Sequence, residues 1–173
     1  MRVAILATIF FAASFSAAFA QDEMDRAERE LRDAMAPAAQ AGATVERVSP
    51  DEVRVRMPSD ITFDFNRADV KYAFVPRIAD LARTLNRYPN MSVSITGLAD
   101  AIGSDEYNHR LSERRALSVS DVLQQFGVDN YRIRTSGMGE WAPIATNATD
   151  WGRARNRRVE ISVRRDEPWR APN

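Results

Sequence analysis

The 173-residue chain has no cysteine, and its only histidine and only lysine are His109 and Lys71. Without cysteine there is no disulfide framework, no thiol for lipid attachment behind an export signal, and no sulfur ligand for zinc. His109 alone cannot build a multi-histidine metal site. It also sits among helix-forming residues with no nucleophile elbow nearby, so a Ser-His-Asp triad has no seat. No catalytic residue, metal or cofactor is expected. The 7 glycines form no phosphate-cradling loop, which argues against a nucleotide-binding fold. Neither charge sign is in excess, with 24 basic and 24 acidic residues. Nucleic acid and anionic lipid are therefore not expected as partners through bulk electrostatics.

Long apolar runs are confined to the first twenty residues. Arg2 gives a short basic start, Val3 to Ala18 is almost wholly apolar, and Ala18-Phe19-Ala20 is a small-x-small site before Gln21-Asp22-Glu23. This is the pattern of a secretory signal peptide over 1–20, cleaved after Ala20, with no stable membrane span in the mature form. An uncleaved inner-membrane anchor is the alternative; a mature start at Gln21 excludes it. Residues 3–20 contain no acid for a proton path, which disfavours a proton-driven stator role.

Over the whole chain, 45% hydrophobic and 28% charged residues fit one globular domain behind the leader. Residues 22–36 place Met24, Ala27, Leu31, Ala34 and Met35 at helical spacing among many charges. That reads as a short solvated helix, followed by a linker from Pro37 to Gly42, so 21–42 forms one N-terminal segment. The domain proper is expected over 43–165. It begins with a hairpin of ATVERV and EVRVRM around Ser49-Pro50-Asp51, followed by DITFDF with Ile61, Phe63 and Phe65 on one side. A helix over 74–87 carries Val75, Ile78, Leu81, Ala82 and Leu85 on one stripe. MSVSITG alternates, a long helix runs from about Asp105 to Phe126 and stops at Gly127, and RIRTSGMG and RRVEISVR supply two more strands. The tail 166–173 lacks periodicity and is expected to be mobile.

Strands that alternate, instead of running solidly apolar, imply a sheet with one wet face. The fold class expected is α/β (α+β): a two-layer sandwich of mixed β-sheet with helices on one face. A membrane β-barrel is not expected, because eight spanning strands would consume nearly the whole chain, helices included. Trp141 and Trp151 lie near the late loops. Ordinary packing is the expected role for both, with glycan contact as the alternative.

One helix breaks its own pattern. Leu111, Val119, Val122, Leu123 and Phe126 mark the inward stripe of 105–126, and Arg115 lies four residues from both Leu111 and Val119. Asn108 falls on the same side, and Ser104 suits the N-cap. A buried charge needs a partner. Asp100, just past a strand's carboxyl end, could converge with Arg115 on a zwitterion, taking its ammonium while the guanidinium forks onto its carboxylate. The alternative is a scaffold role in which Arg115 pairs with Asp100, Asp105 or a nearby carbonyl.

These segments resemble the OmpA-like peptidoglycan-binding domain. The matching residues run in order: Phe63-Asp64-Phe65-Asn66; Gly97, Asp100 and Gly103; Asn108, Leu111-Ser112 and Arg115-Ala116; Gly137-Met138-Gly139-Glu140 with Pro143; and Asn147 with Gly152-Arg153-Ala154-Arg155-Asn156-Arg157-Arg158-Val159. The resemblance covers about 52–164. It implies a βαβαββ core and non-covalent grip on the diaminopimelate of the peptidoglycan stem peptide, in a periplasmic, non-enzymatic wall-attachment protein. Asp100 would hold the ammonium and Arg115 the carboxylate. Asn108, Phe65 and Asn66 would line the same pocket, and Arg157 would flank it. One departure stands out: Gly97-Leu98-Ala99-Asp100 replaces the usual Gly-His-Thr-Asp, removing two polar neighbours. A degenerate pocket, with the 22–36 helix binding another envelope protein, is the reading this departure leaves open.

Overall fold

The computed structural model describes the backbone over residues 6–165 and the side chains over 21–165. The expected mobile tail and the first five residues of the expected leader lie outside the described residues. The elements in chain order are α1 (Leu6–Ala39), β1 (Thr44–Ser49), β2 (Glu52–Pro58), α2 (Ser59–Thr62), α3 (Val75–Arg87), β3 (Met91–Leu98), α4 (Asp105–Gln125), a 3-10 turn (Asn130–Arg132), β4 (Ile133–Gly137), α5 (Asp150–Asn156) and β5 (Arg158–Arg165). The sheet runs β1-β2-β5-β3-β4. Only β3 and β4 are parallel, joined by the α4 crossover; the β1–β2, β2–β5 and β5–β3 pairs are antiparallel. This is the mixed two-layer sheet expected, with β1 added at one edge.

Alternation along the strands fixes the two faces. Val53, Val55, Met57, Val93, Ile95, Val159, Ile161 and Val163 all point into the core. Against them α4 lies over β3 and β4, α3 packs between α4 and α1, and α1 covers β1.

The solvated helix expected over 22–36 is corrected. Met24, Ala27, Leu31, Met35 and Ala38 form a fully buried stripe on α1 that belongs to the central core. The charges that suggested solvation occupy the remaining faces: Arg47 reaches from β1 to Asp25 and Glu28, and Arg87 from α3 to Glu30. The linker expected from Pro37 is also corrected, because α1 runs through Pro37 to Ala39. Pro37 sits in the last turn, where it gives up one hydrogen bond to the carbonyl four residues back and the helix ends two residues later. The chain then leaves through Gly42, whose φ of 96° is the left-handed helix exit that glycine adopts freely.

Three further expectations change. DITFDF is not a strand: α2 is a single helical turn, and Phe63 makes an isolated bridge to Val70. Phe63 is therefore buried while Phe65 is 98% exposed, where a strand would have put both on one side. Phe126, expected in the buried stripe of α4, lies just past the helix end and is exposed. Trp141 and Trp151, expected to pack, are 74% and 67% exposed.

The outer face of the sheet is a ladder of paired charges. Glu160 accepts from Arg56 at 3.1 Å and Arg158 at 2.8 Å, and Glu52 accepts from Arg164 at 2.7 Å and Ser162 at 2.8 Å. Burial pushes the Glu160 carboxyl up, but the Arg158 hydrogen bond and the charges of Arg158 and Arg54 outweigh it and hold the carboxyl below its ordinary value. Glu52 is lowered in the same way against its own burial, by Arg164, Ser162 and Arg54. A carboxyl depressed by folding stabilises the fold above its unfolded pKa and loses that contribution as pH falls through the folded value. The wild-type melting temperature should therefore drop between about pH 5 and pH 3. Glu160→Gln should melt lower at neutral pH and lose less on acidification. Parallel wild-type and variant melting curves across that range would remove Glu160 from the account.

Candidate functional site

The carboxyl end of β3, the amino end of β5 and the amino end of α4 meet beside α2. Between them lies a cleft of about 590 Å³ whose walls include Phe65, Asn66, Asp100, Asn108, Arg115 and Arg157. The structure thus brings together all six residues singled out in the sequence. It also adds Asp60, Lys71 and Tyr107 to the lining.

Asp100 follows β3 and is only 7% exposed. Its Oδ1 accepts from the Ile102 backbone N–H at 3.0 Å, and its Oδ2 accepts from Arg157 at 2.8 Å. Two such bonds leave acceptor capacity on a carboxylate that can take about four. Ser104 caps α4, its Oγ accepting from the Tyr107 N–H at 3.2 Å, so the Asp100 loop feeds straight into the helix. Asn108 is buried and ties the two together: its Nδ2 donates to the Asp100 carbonyl at 3.1 Å and to Glu140 at 3.4 Å.

Arg115 sits two turns along the same face of α4, 5% exposed. Among the described residues no carboxylate lies within ion-pair distance of it. Its Nε donates to the Arg67 carbonyl at 3.0 Å and its guanidinium lies 5.0 Å from the Phe63 ring centroid. The scaffold reading of Arg115 is thus met only through a carbonyl and an aromatic face, neither of which neutralises the charge. Burial lowers its pKa, partly offset by Tyr107 and Asp60, though an arginine so placed stays protonated.

Arg157, at the exit of α5, is more than a flank. Its Nε and one NH₂ grip Asp60 at 3.2 and 2.9 Å, while the other NH₂ donates to Asp100. The Asp60 hydrogen bonds chiefly, with Asp100 adding to them against burial, raise its pKa. Its neighbour Arg158 turns the other way, is buried, and donates to the Ala142 and Asn156 carbonyls. Asn66 takes a left-handed φ of 60° and accepts from the Tyr107 hydroxyl. Phe65 projects from the rim.

Of the two residues that replace the usual polar pair, only Ala99 lines the cleft; Leu98 is buried away from it. Sequence reasoning missed Asp60 and Lys71. Both come from the irregular stretch around α2, and Lys71 closes it by donating to the Asp60 carbonyl at 2.8 Å.

The OmpA family model matches residues 62–157, a span that holds all six residues singled out in the sequence, Arg157 at its end. The chain is 42% identical over 140 residues to the probable lipoprotein YiaD of Escherichia coli (strain K12), covering 81% of this chain and 62% of that protein. It is 46% identical over 92 residues to the peptidoglycan-binding protein ArfA of Mycobacterium bovis, covering 53% of this chain and 27% of that one. In each case it spans less than two thirds of the relative's own length. Among solved structures, the cell wall anchor of the T6SS from Pseudomonas aeruginosa superposes with a TM-score of 0.70 at 34% identity, over 80% of this chain and 99% of that one. With the family model matching more than half of the chain and the fold shared with a solved cell wall anchor, the chain belongs to the OmpA family.

Proposed function

We propose that the chain binds peptidoglycan without catalysis, holding the diaminopimelate of a stem peptide in the cleft, and that it works in the cell envelope after export through the 1–20 leader. The observation that carries this is Arg115: a buried guanidinium that faces the cleft with no carboxylate to neutralise it, across from an acid with acceptor capacity to spare. A group carrying both an ammonium and a carboxylate satisfies both walls at once, where a simple anion would meet Asp100 and a simple cation would meet Arg115. Relatives named as a peptidoglycan-binding protein and a cell wall anchor support the wall polymer as the partner. Loss of the His-Thr pair leaves the charged walls standing, since Leu98 is outside the cleft and Ala99 is anchored by its N–H to the Gly139 carbonyl at 2.7 Å. The rival role for the 22–36 helix, docking another envelope protein by its apolar stripe, is disfavoured because that stripe packs on the chain's own core. Among the described residues no helix is long and apolar enough to cross a membrane.

The wild-type chain should pellet with purified sacculi, and millimolar free diaminopimelate should return it to the supernatant. Pelleting that diaminopimelate cannot compete would move the contact elsewhere on the wall; a chain that stays soluble throughout would end the proposal.

A further inference from the structure

Asp60 has a second hollow on its flank. A groove of about 460 Å³ shares this residue with the cleft and is walled by Thr44, Glu46, Pro58, Ile144 and Trp151, with Arg155 beside them. Trp151 is 67% exposed, so it does no work in the core. The Arg155 guanidinium lies 5.0 Å from its ring centroid, stacked on the indole and holding its orientation. Both residues stand on α5, the short helix that also delivers Arg157 into the cleft. The aromatic surface and the zwitterion site are thus carried by one rigid element, six residues apart.

The groove's charges point to a neutral ligand. Glu46 is paired with Arg56 at 2.7 Å, Arg158 with Glu160 at 2.8 Å, and Asp60 with Arg157 at 2.9 Å. Among the described residues, Arg155 alone of the groove's charges has no carboxylate partner, and it is laid on the indole; the rest of the surface offers donors and acceptors in neutralised pairs beside an exposed ring. That combination suits a pyranose, whose C–H face lies flat on an aromatic ring while its hydroxyl and amide groups take hydrogen bonds at the edge. We infer that this groove is a second subsite, for the amino-sugar backbone of the same polymer whose stem peptide enters the cleft. The inference rests on the peptidoglycan reading. The peptide leaves the sugar only a few residues before the diaminopimelate, a span of about 10 Å when extended, which suits two hollows separated by a single shared wall.

Calorimetry on the full chain with two soluble probes tests it: a stem tetrapeptide containing diaminopimelate, and the same peptide joined to its disaccharide. Wild type should bind the disaccharide–peptide about fivefold tighter than the bare peptide, the scale of one stacked aromatic contact. Trp151→Ala should bring the disaccharide–peptide down to the affinity of the bare peptide. Trp141→Ala, which removes an equally exposed indole outside the groove, should keep the preference. Equal wild-type affinities for the two probes, or a preference that survives Trp151→Ala, overturn the second subsite while leaving the cleft reading intact. If wild type binds neither probe, the cleft reading fails and the second subsite fails with it.

Discussion

Arg115→Ala should abolish co-sedimentation with sacculi while the protein stays folded, and Asp100→Ala should do the same. The two losses have different origins. Arg115 provides the one charge in the cleft that no carboxylate of the described residues neutralises, so on the proposed reading its removal takes away the fork that would hold the ligand carboxylate. Truncating one member of a desolvated, hydrogen-bonded charge pair typically costs about 2–5 kcal/mol of binding, roughly 30- to several thousand-fold. Arg115→Lys keeps the charge but not the planar fork, and should recover only part of that. At Asp100 the loss is doubled in kind: the ammonium loses its acceptor, and Arg157 loses one of its two anchors, retaining Asp60. Asp100→Asn therefore discriminates. It preserves size and can still accept from the Ile102 N–H, so near-wild-type binding by this variant would show that shape, not charge, was the function of the acid. Circular dichroism and thermal melts on each variant separate lost binding from lost fold. If both alanine variants pellet like wild type, the cleft is not the wall-binding site.

How much of this was legible before the structure depends on where each residue gets its neighbours. Local period carried the strands, because Val93 and Ile95, or Val159, Ile161 and Val163, need only the alternation of their own segment to declare a face. It also carried Arg115, since a charge four residues from a leucine on one side and a valine on the other is visible as an inconsistency on a single helix. The cleft residues of the loop and helix start came from the same local grammar, with Ser104 marking where α4 begins. What local period could not supply was the covering of α1. Its stripe of Met and Ala residues is weak in isolation, and only α3 and β1, distant in sequence, turn it into core. The α2 region failed for the opposite reason: Phe63 and Phe65 alternate like a strand, yet a single helical turn and the bridge to Val70 send one inward and leave the other at the rim. Asp60 and Lys71 were hidden with them. At seven residues, α5 is shorter than the window in which periodicity speaks, though Thr149, which accepts from the Gly152 N–H at 3.1 Å, is a cap of the expected kind.

Gly97→Ala should be among the most destabilising single substitutions in the chain, and Gly137→Ala close behind. A Cβ on Gly97 would fall 2.0 Å from the Ser112 carbonyl oxygen, and one on Gly137 would fall 2.4 Å from the Glu113 backbone nitrogen. The obstacle in each case is the backbone of α4, which cannot step aside as a side chain can. Neither glycine needs an unusual φ; each is required because a helix lies directly on the two parallel strands at that point. Overpacking of this kind costs about 1–3 kcal/mol where neighbours can adjust, and with main chain as the obstacle the upper end or beyond is expected. Against a total stability of about 5–15 kcal/mol that is a large fraction. Gly127→Ala offers the comparison: it sits at a left-handed φ of 91° beyond α4, where the added methyl meets only the Asn86 side chain, so the left-handed backbone alone sets the cost, about 1–2 kcal/mol. The contact also has a functional consequence. Residues 112–113 lie on α4 between Asn108 and Arg115, and Asp100 lies three residues past Gly97, just beyond the end of β3 at Leu98, so the glycine contact sets how far the buried guanidinium stands from the acid. Ser112 reinforces it, its Oγ accepting from the Gly139 N–H at 2.9 Å. A variant that survives by letting α4 lift off the sheet should therefore bind sacculi less well than its residual stability predicts. Chemical denaturation of the three variants beside sacculus binding of the folded fraction tests both halves. A Gly97→Ala protein that unfolds at the wild-type midpoint would mean that α4 does not ride on the strand there, and the spacing of Asp100 and Arg115 would need another cause.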